Sequence, residues 1–180
     1  MAEAEKRAEI LWAARQLALR HGLGGVTMEA IAKEARVAKP TLYKYYGDRS
    51  AVFTGIVTEL LVDLHGKFTA ALNGPGTLSE RVAAALVAKY AAVEEFMAGS
   101  PHAQDLYNEH DLLTAPQVQV AEAESDRAII SALRDGGVAE PETMAKVLIG
   151  GAYGIFRKAR PGADIAPLVR LLVERVVGAD

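Results

Sequence analysis

Residues 27–53 read TMEAIAKEARVAKPTLYKYYGDRSAVF, and this stretch decides the fold. Its spacing predicts two short helices, a tight connection and the start of a third helix. The first covers 28–35. Thr27 offers a hydroxyl to cap it, and Glu29 puts a negative charge in its first turn, where the helix dipole favours one. Ile31 and Ala35, four apart, share a face. Arg36, Val37 and Ala38 make the connection. Pro40 then falls in the first turn of a new helix, where proline is tolerated. Leu42 and Tyr46, again four apart, are placed to pack on Ile31, Ala35 and Val37. That leaves Lys39, Tyr43, Lys44 and Tyr45 facing largely outward. Gly47 and Asp48 end this helix, and Asp48 caps the next.

A helix of about two turns does not hold itself together in water. It must be docked by its Leu42/Tyr46 edge, leaving a free face of two lysines and two aromatics beside Thr41. A short, docked, basic and aromatic helix suits the second helix of a helix-turn-helix, the one laid in the DNA major groove. The same pattern also fits an ordinary helical hairpin with a solvated face. The wording of the stretch favours the first reading. It resembles the DNA-binding head of the tetracycline-repressor (TetR/AcrR) family of bacterial transcriptional regulators. The resemblance is carried by Thr27, Ile31-Ala32, Val37-Ala38, Thr41-Leu42-Tyr43, Tyr45-Tyr46 and Asp48-Arg49, with Gly22 matching the glycine that closes the family's first helix. It covers about the first quarter of the chain. Arg36 departs from it, standing where the family usually has Gly; a positive φ there would strain an arginine. Ala18 stands where Phe is common, and Pro40 replaces a frequent Gly.

Working outward, residues 6–21 form an amphipathic helix with Ile10, Ala13, Ala14 and Leu17 at helical spacing. Trp12, on its flank, is expected in the core or in helix packing, as is usual for a large aromatic. A long helix follows Asp48 to about Leu72, with Val52, Phe53, Ile56, Leu60, Leu61 and Leu64 as its apolar stripe. At about 1.5 Å per residue it spans roughly 35 Å. Further helices are expected over 78–97, 102–113, 116–133, 141–159 and 164–177, separated by Gly- and Pro-containing breaks. No alternating strand pattern occurs. The expected fold is all-α, with about nine helices: a helix-turn-helix head over 1–48 and a helical body over 49–180.

Of the 180 residues, 51% are hydrophobic, and there is no cysteine. Disulfides, thiolate metal sites and cysteine nucleophiles are therefore excluded. No apolar run approaches the roughly 18 residues that would cross a bilayer, and the N-terminus lacks a signal-peptide core. A cytoplasmic protein with no membrane partner is expected. The net charge of −3 divides unevenly: residues 1–50 hold nine Lys/Arg against six Asp/Glu, and residues 51–180 hold eleven against seventeen. A basic head on an acidic body suits DNA binding at one end.

No nucleophile elbow, phosphate loop or dinucleotide fingerprint is present, so an enzyme is not expected and no cofactor is called for. His102, Asp105 and Glu109 fall on one helical face beside His110. That spacing can hold a metal but equally makes a polar face, and no metal site is assigned. Phe68, Tyr90, Phe96, Met97, Tyr107 and Tyr153 are large residues suited to a core or to a cavity lining. The resemblance implies a small-molecule effector pocket in the body, with Lys89, His65, His110 and Tyr107 supplying polar contacts. The last two helices are apolar over more than one face. Gly150, Gly151 and Gly154, together with Ile155, Leu168, Leu172 and Val176, point either to close packing within one chain or to approach by a second. The resemblance implies the second, a homodimer through these helices.

The resemblance further implies a repressor-like regulator that binds a palindromic duplex operator as a homodimer and is released by a small molecule. Thr27, Thr41, Tyr45 and Arg49 would contact phosphates. Lys39, Pro40, Tyr43 and Lys44 would lie near base edges or the groove wall. The other readings are an interaction protein that keeps the fold without an operator, and a ligand-processing enzyme.

Overall fold

In the computed structural model, residues 2–98, 100–102, 116–160 and 162–178 are described. Among them are eight α-helices and no strand: α1 (Ala2–His21), α2 (Met28–Glu34), α3 (Lys39–Tyr45), α4 (Arg49–Leu72), α5 (Leu78–Met97), α6 (Pro116–Asp135), α7 (Pro141–Lys158) and α8 (Ala166–Val177). A short 3-10 turn, Leu23–Gly25, follows α1. The helix expected over 102–113 lies outside the described residues. No helix among those described is long and apolar enough to cross a membrane.

Side chains and glycines end these helices where the sequence puts them. Thr27 Oγ1 accepts from the Ala30 amide at 3.1 Å. Asp48 Oδ1 accepts from the Ala51 amide at 2.7 Å and so caps α4. Ahead of α5, Thr77 Oγ1 accepts from the Glu80 amide at 3.2 Å while Glu80 Oε2 accepts from the Thr77 amide at 2.9 Å, a reciprocal capping box. α1 starts at Ala2, earlier than its apolar stripe suggests, with Glu3 and Glu5 in a first turn that favours acids.

The chain forms two compact units, one of residues 1–60 with 97–118 and one of residues 61–96 with 119–180; α4 is continuous through the division. In the first unit Ile10, Ala13, Ala14, Leu17, Val26, Ile31, Leu42 and Val52 are buried. Trp12 is not among them. It is 59% exposed, contrary to the expectation of packing. At about 100° per residue it lies roughly opposite the Ile10/Ala13/Ala14/Leu17 stripe, and angular position outweighs side-chain size. It lines an open groove of about 770 Å³ with Glu5, Lys6, Glu9, Glu34 and Arg36.

In the second unit one apolar cluster joins Phe68 and Leu72 of α4 to Val82, Leu86 and Tyr90 of α5, Ile129 and Leu133 of α6, Leu148 and Ala152 of α7, and Val169 and Val173 of α8. Burying these large side chains supplies the main favourable term, about 1.5–3 kcal/mol for each Val, Leu, Ile or Phe fully removed from water.

Candidate nucleic-acid interface

The two helices of the motif are joined by a turn in which Arg36 has φ 54°. The Arg36 amide donates to the Lys33 carbonyl at 3.2 Å and the Val37 amide to the Ala32 carbonyl at 2.9 Å. This is a Schellman ending, which needs a left-handed residue at its centre. Arg36 therefore takes the conformation that usually selects glycine, at a strain of about 1–2 kcal/mol for an L-residue.

α3 has only seven residues and is held by its inner edge. Leu42 is fully buried and Tyr46 is 9% exposed. Burial holds the Tyr46 phenol above its ordinary value, with the Arg7 charge pulling the other way. The opposite edge is open: Lys39, Pro40, Lys44 and Tyr43 are exposed, Tyr43 at 48%, while Thr41 and Tyr45 are half-buried. Arg7 of α1 lies 5.3 Å from the Tyr45 ring centre and 5.9 Å from that of Tyr46. Lys44 Nζ lies 6.0 Å from the Tyr45 ring centre. A basic and aromatic surface is thus fixed on a buried seam.

Thr27 is exposed, and accepting from Ala30 leaves its own hydroxyl proton for another acceptor. Arg49 is also exposed, but its guanidinium donates to the Leu23 carbonyl and lies 5.1 Å from the Phe53 ring centre. It therefore ties the start of α4 to the turn after α1. Lys39 Nζ lies 2.7 Å from Glu29 Oε1. The hydrogen bond from Lys39 is the main reason the Glu29 carboxyl sits below its ordinary value. Sequence spacing did not find Arg7 or the Glu29–Lys39 pair, because each partner lies on a different helix.

Residues 10–56 match the family model for bacterial regulatory proteins of the tetR family. Over 58 residues the chain is 36% identical to the HTH-type transcriptional repressor SCO4008 of Streptomyces coelicolor; that match spans 32% of this chain and 30% of the relative. Over its first third, then, the chain is similar to the TetR family. The likeness in fold extends over nearly the whole chain. A transcriptional regulator of the TetR/AcrR family from Thermobifida fusca superposes with a TM-score of 0.70, at 21% identity, over 96% of this chain and 97% of the other. The fatty acid degradation regulator FadR from Bacillus halodurans does so with a TM-score of 0.68, at 16% identity, over 97% and 95%.

The structure separates the residues considered for an effector site. Phe68 and Tyr90 are buried in the second unit's cluster, where Tyr90 stacks on Phe156 with ring centres 4.7 Å apart. Lys89 is only 4% exposed and forms an ion pair with Glu122 of α6. One turn on from Glu122, Asp126 has a buried Oδ1 with no hydrogen-bond partner among the described residues. Burial holds the Asp126 carboxyl above its ordinary value, against the pull of Lys89. His65 is exposed, with Nε2 3.5 Å from Thr69 Oγ1, and Tyr153 is exposed as well. Phe96 and Met97 are half-buried. Tyr107, His110, Asp105 and Glu109 lie outside the described residues. Among those described, no group of three His, Asp or Glu side chains is arranged to hold a metal.

The candidate dimer residues fall into two sets. A Cβ on Gly150 or Gly154 would meet nothing within 4 Å among the described residues, and Leu168 is 56% exposed. Val147, Tyr153 and Leu171 are exposed on the same two helices. By contrast, a Cβ on Gly151 would come within 2.6 Å of Leu172 Cδ2 of the same chain. Leu172, Ile155 and Val176 pack against the chain's own apolar cluster.

Proposed function

We propose that the chain is a ligand-responsive DNA-binding transcriptional regulator, acting as a repressor. The carrying observation is α3: it is docked through Leu42 and Tyr46 and presents Lys39, Pro40, Tyr43 and Lys44 outward. In this reading residues 1–48 form the DNA-binding head, and the remainder binds a small-molecule effector and assembles a homodimer. Lys39 donates to guanine O6/N7, Pro40 touches a thymine methyl, and Thr27, Thr41 and Tyr45 meet phosphates. Arg49, engaged with Leu23, positions the head and contributes its charge to the phosphate face.

A dimer reaches two half-sites roughly 34–36 Å apart in successive major grooves. The exposed apolar side chains of α7 and α8 support pairing there. An effector need not touch DNA. It must bind the state that fits the operator poorly better than the state that fits it well, and the difference limits the response. A tenfold loss of operator affinity takes about 1.4 kcal/mol of such coupling.

The test is a gel shift with duplex DNA from beside the protein's own gene, against an arbitrary duplex of equal length. Preferential retardation of the first is expected. Equal binding to both, or to neither, would overturn the operator reading.

A further inference from the structure

Glu29 is the second residue of α2, Lys39 the first of α3, and their side chains meet at 2.7 Å across the turn. Both side chains are more than half exposed, so the pair contributes little to stability. Glu29 also suits the first-turn dipole of α2, but that would hold without Lys39 beside it. Lys39 belongs to the outward face assigned to the groove. A carboxylate in contact with that face is unfavourable beside a polyanion, and this cost asks what it brings in return.

We propose that Glu29 is a specificity-determining residue, which suppresses sequence-blind DNA binding by holding Lys39 and releases it to a matching base pair. The inference rests on the reading of α3 as the groove helix. Sequence-blind binding comes from cations that neutralise phosphates and release counterions, each contact steepening the salt dependence by about 0.9. Lys39 enters that count only by leaving Glu29, and the freed carboxylate then faces the phosphates alone. A phosphate offers Lys39 an acceptor but offers Glu29 nothing. A G·C pair offers something to both: guanine O6/N7 accepts from lysine, and the cytosine N4 amino group donates to a carboxylate. The pair is therefore disfavoured on arbitrary DNA and compensated where G·C lies beneath the start of α3.

The test measures duplex binding of the full chain against salt, on the fragment from beside its gene and on an arbitrary duplex. Glu29→Gln is expected to tighten arbitrary binding several-fold, steepen its salt slope by about 0.9, and narrow the ratio between the two DNAs. Glu34→Gln breaks the comparable Arg20–Glu34 pair of 2.6 Å at the other end of α2 and is expected to change neither. In a Lys39→Ala background, Glu29→Gln is expected to have no further effect. An unchanged Glu29→Gln variant, an equal effect from Glu34→Gln, or an effect that survives Lys39→Ala would each overturn the inference while the operator reading stands. Wild-type protein that binds no duplex would overturn both.

Discussion

The Ser100 hydroxyl donates to the Leu19 carbonyl at 2.7 Å. That carbonyl belongs to the last turn of α1, where backbone acceptors have no partner within the helix. The His102 amide donates to Ser100 Oγ at 3.1 Å, and the His102 ring lies 3.5 Å from where a Cβ would stand on Gly22. Arg49 donates to the Leu23 carbonyl a few residues on. The end of α1 is thus held by side chains from two distant places in the sequence. Ser100→Ala is expected to cost about 1 kcal/mol, read from urea unfolding. Unchanged stability would show that solvent serves Leu19 equally well.

Arg36→Gly is expected to stabilise the head. It relieves a left-handed arginine, about 1–2 kcal/mol of strain, against about 0.4–1 kcal/mol of added freedom in the unfolded chain. A net gain of roughly 0.5–1 kcal/mol should appear in thermal or urea melts, with duplex affinity nearly unaltered. A loss of stability would mean that the Arg36 side chain makes up for its backbone.

Tyr43→Ala should weaken binding to the gene-adjacent fragment while leaving the melting temperature close to wild type, because Leu42 and Tyr46 do the docking. Lys44→Ala should weaken all duplexes alike and flatten the salt slope by about one. If both variants bind as wild type does, α3 is not the groove helix.

Leu168→Asp and Gly151→Leu separate assembly from folding. Leu168 is exposed, so a charge there should change protomer stability by no more than about 0.5 kcal/mol while shifting sedimentation from dimer to monomer. Gly151→Leu should instead destabilise the body by about 1–3 kcal/mol, since it drives atoms into Leu172. A wild-type monomer at micromolar concentration would refute the proposed dimer.

Asp126 gives the body a pH dependence whose sign follows from burial. Its folded-state carboxyl titrates above its unfolded value, so protonation favours the fold. The contribution is complete below the unfolded pKa, near 4, and is lost as pH rises through the raised folded value. Asp126→Asn should therefore melt higher than wild type at pH 7, with the gap closing as pH falls toward about 4. A gap that is constant with pH would show that the carboxylate is stably ionised beside Lys89.

Helical spacing and end chemistry made the head legible. Thr27, Pro40 and Asp48 marked the ends, and the four-residue step from Leu42 to Tyr46 gave the docked edge of α3. What escaped was tertiary. Trp12 was assigned by size, although its helical angle places it away from the core stripe. Glu29 and Lys39 sit on different helices and meet only because the Arg36 turn brings α2 back toward α3. Lys89 was legible as a polar residue among large apolar ones, but Glu122 was not legible as its partner, being on another helix. The glycines of α7 looked alike in sequence. Only the fold shows that Gly151 receives Leu172 while Gly150 and Gly154 open outward.

Leu172 seated at Gly151 fixes how far α8 can slide along α7. A slip of one residue moves a helix about 1.5 Å and turns it about 100°, enough to scatter an outer ridge. The spacing of Leu168 and Leu171 relative to Val147 and Tyr153 is therefore inherited from a joint on the inward side. In the proposed dimer, a change at position 172 is expected to alter which sister proteins pair while every exposed residue keeps its identity. Two descendants of one gene would then cease to mix without altering a single letter of the surface proposed to pair them.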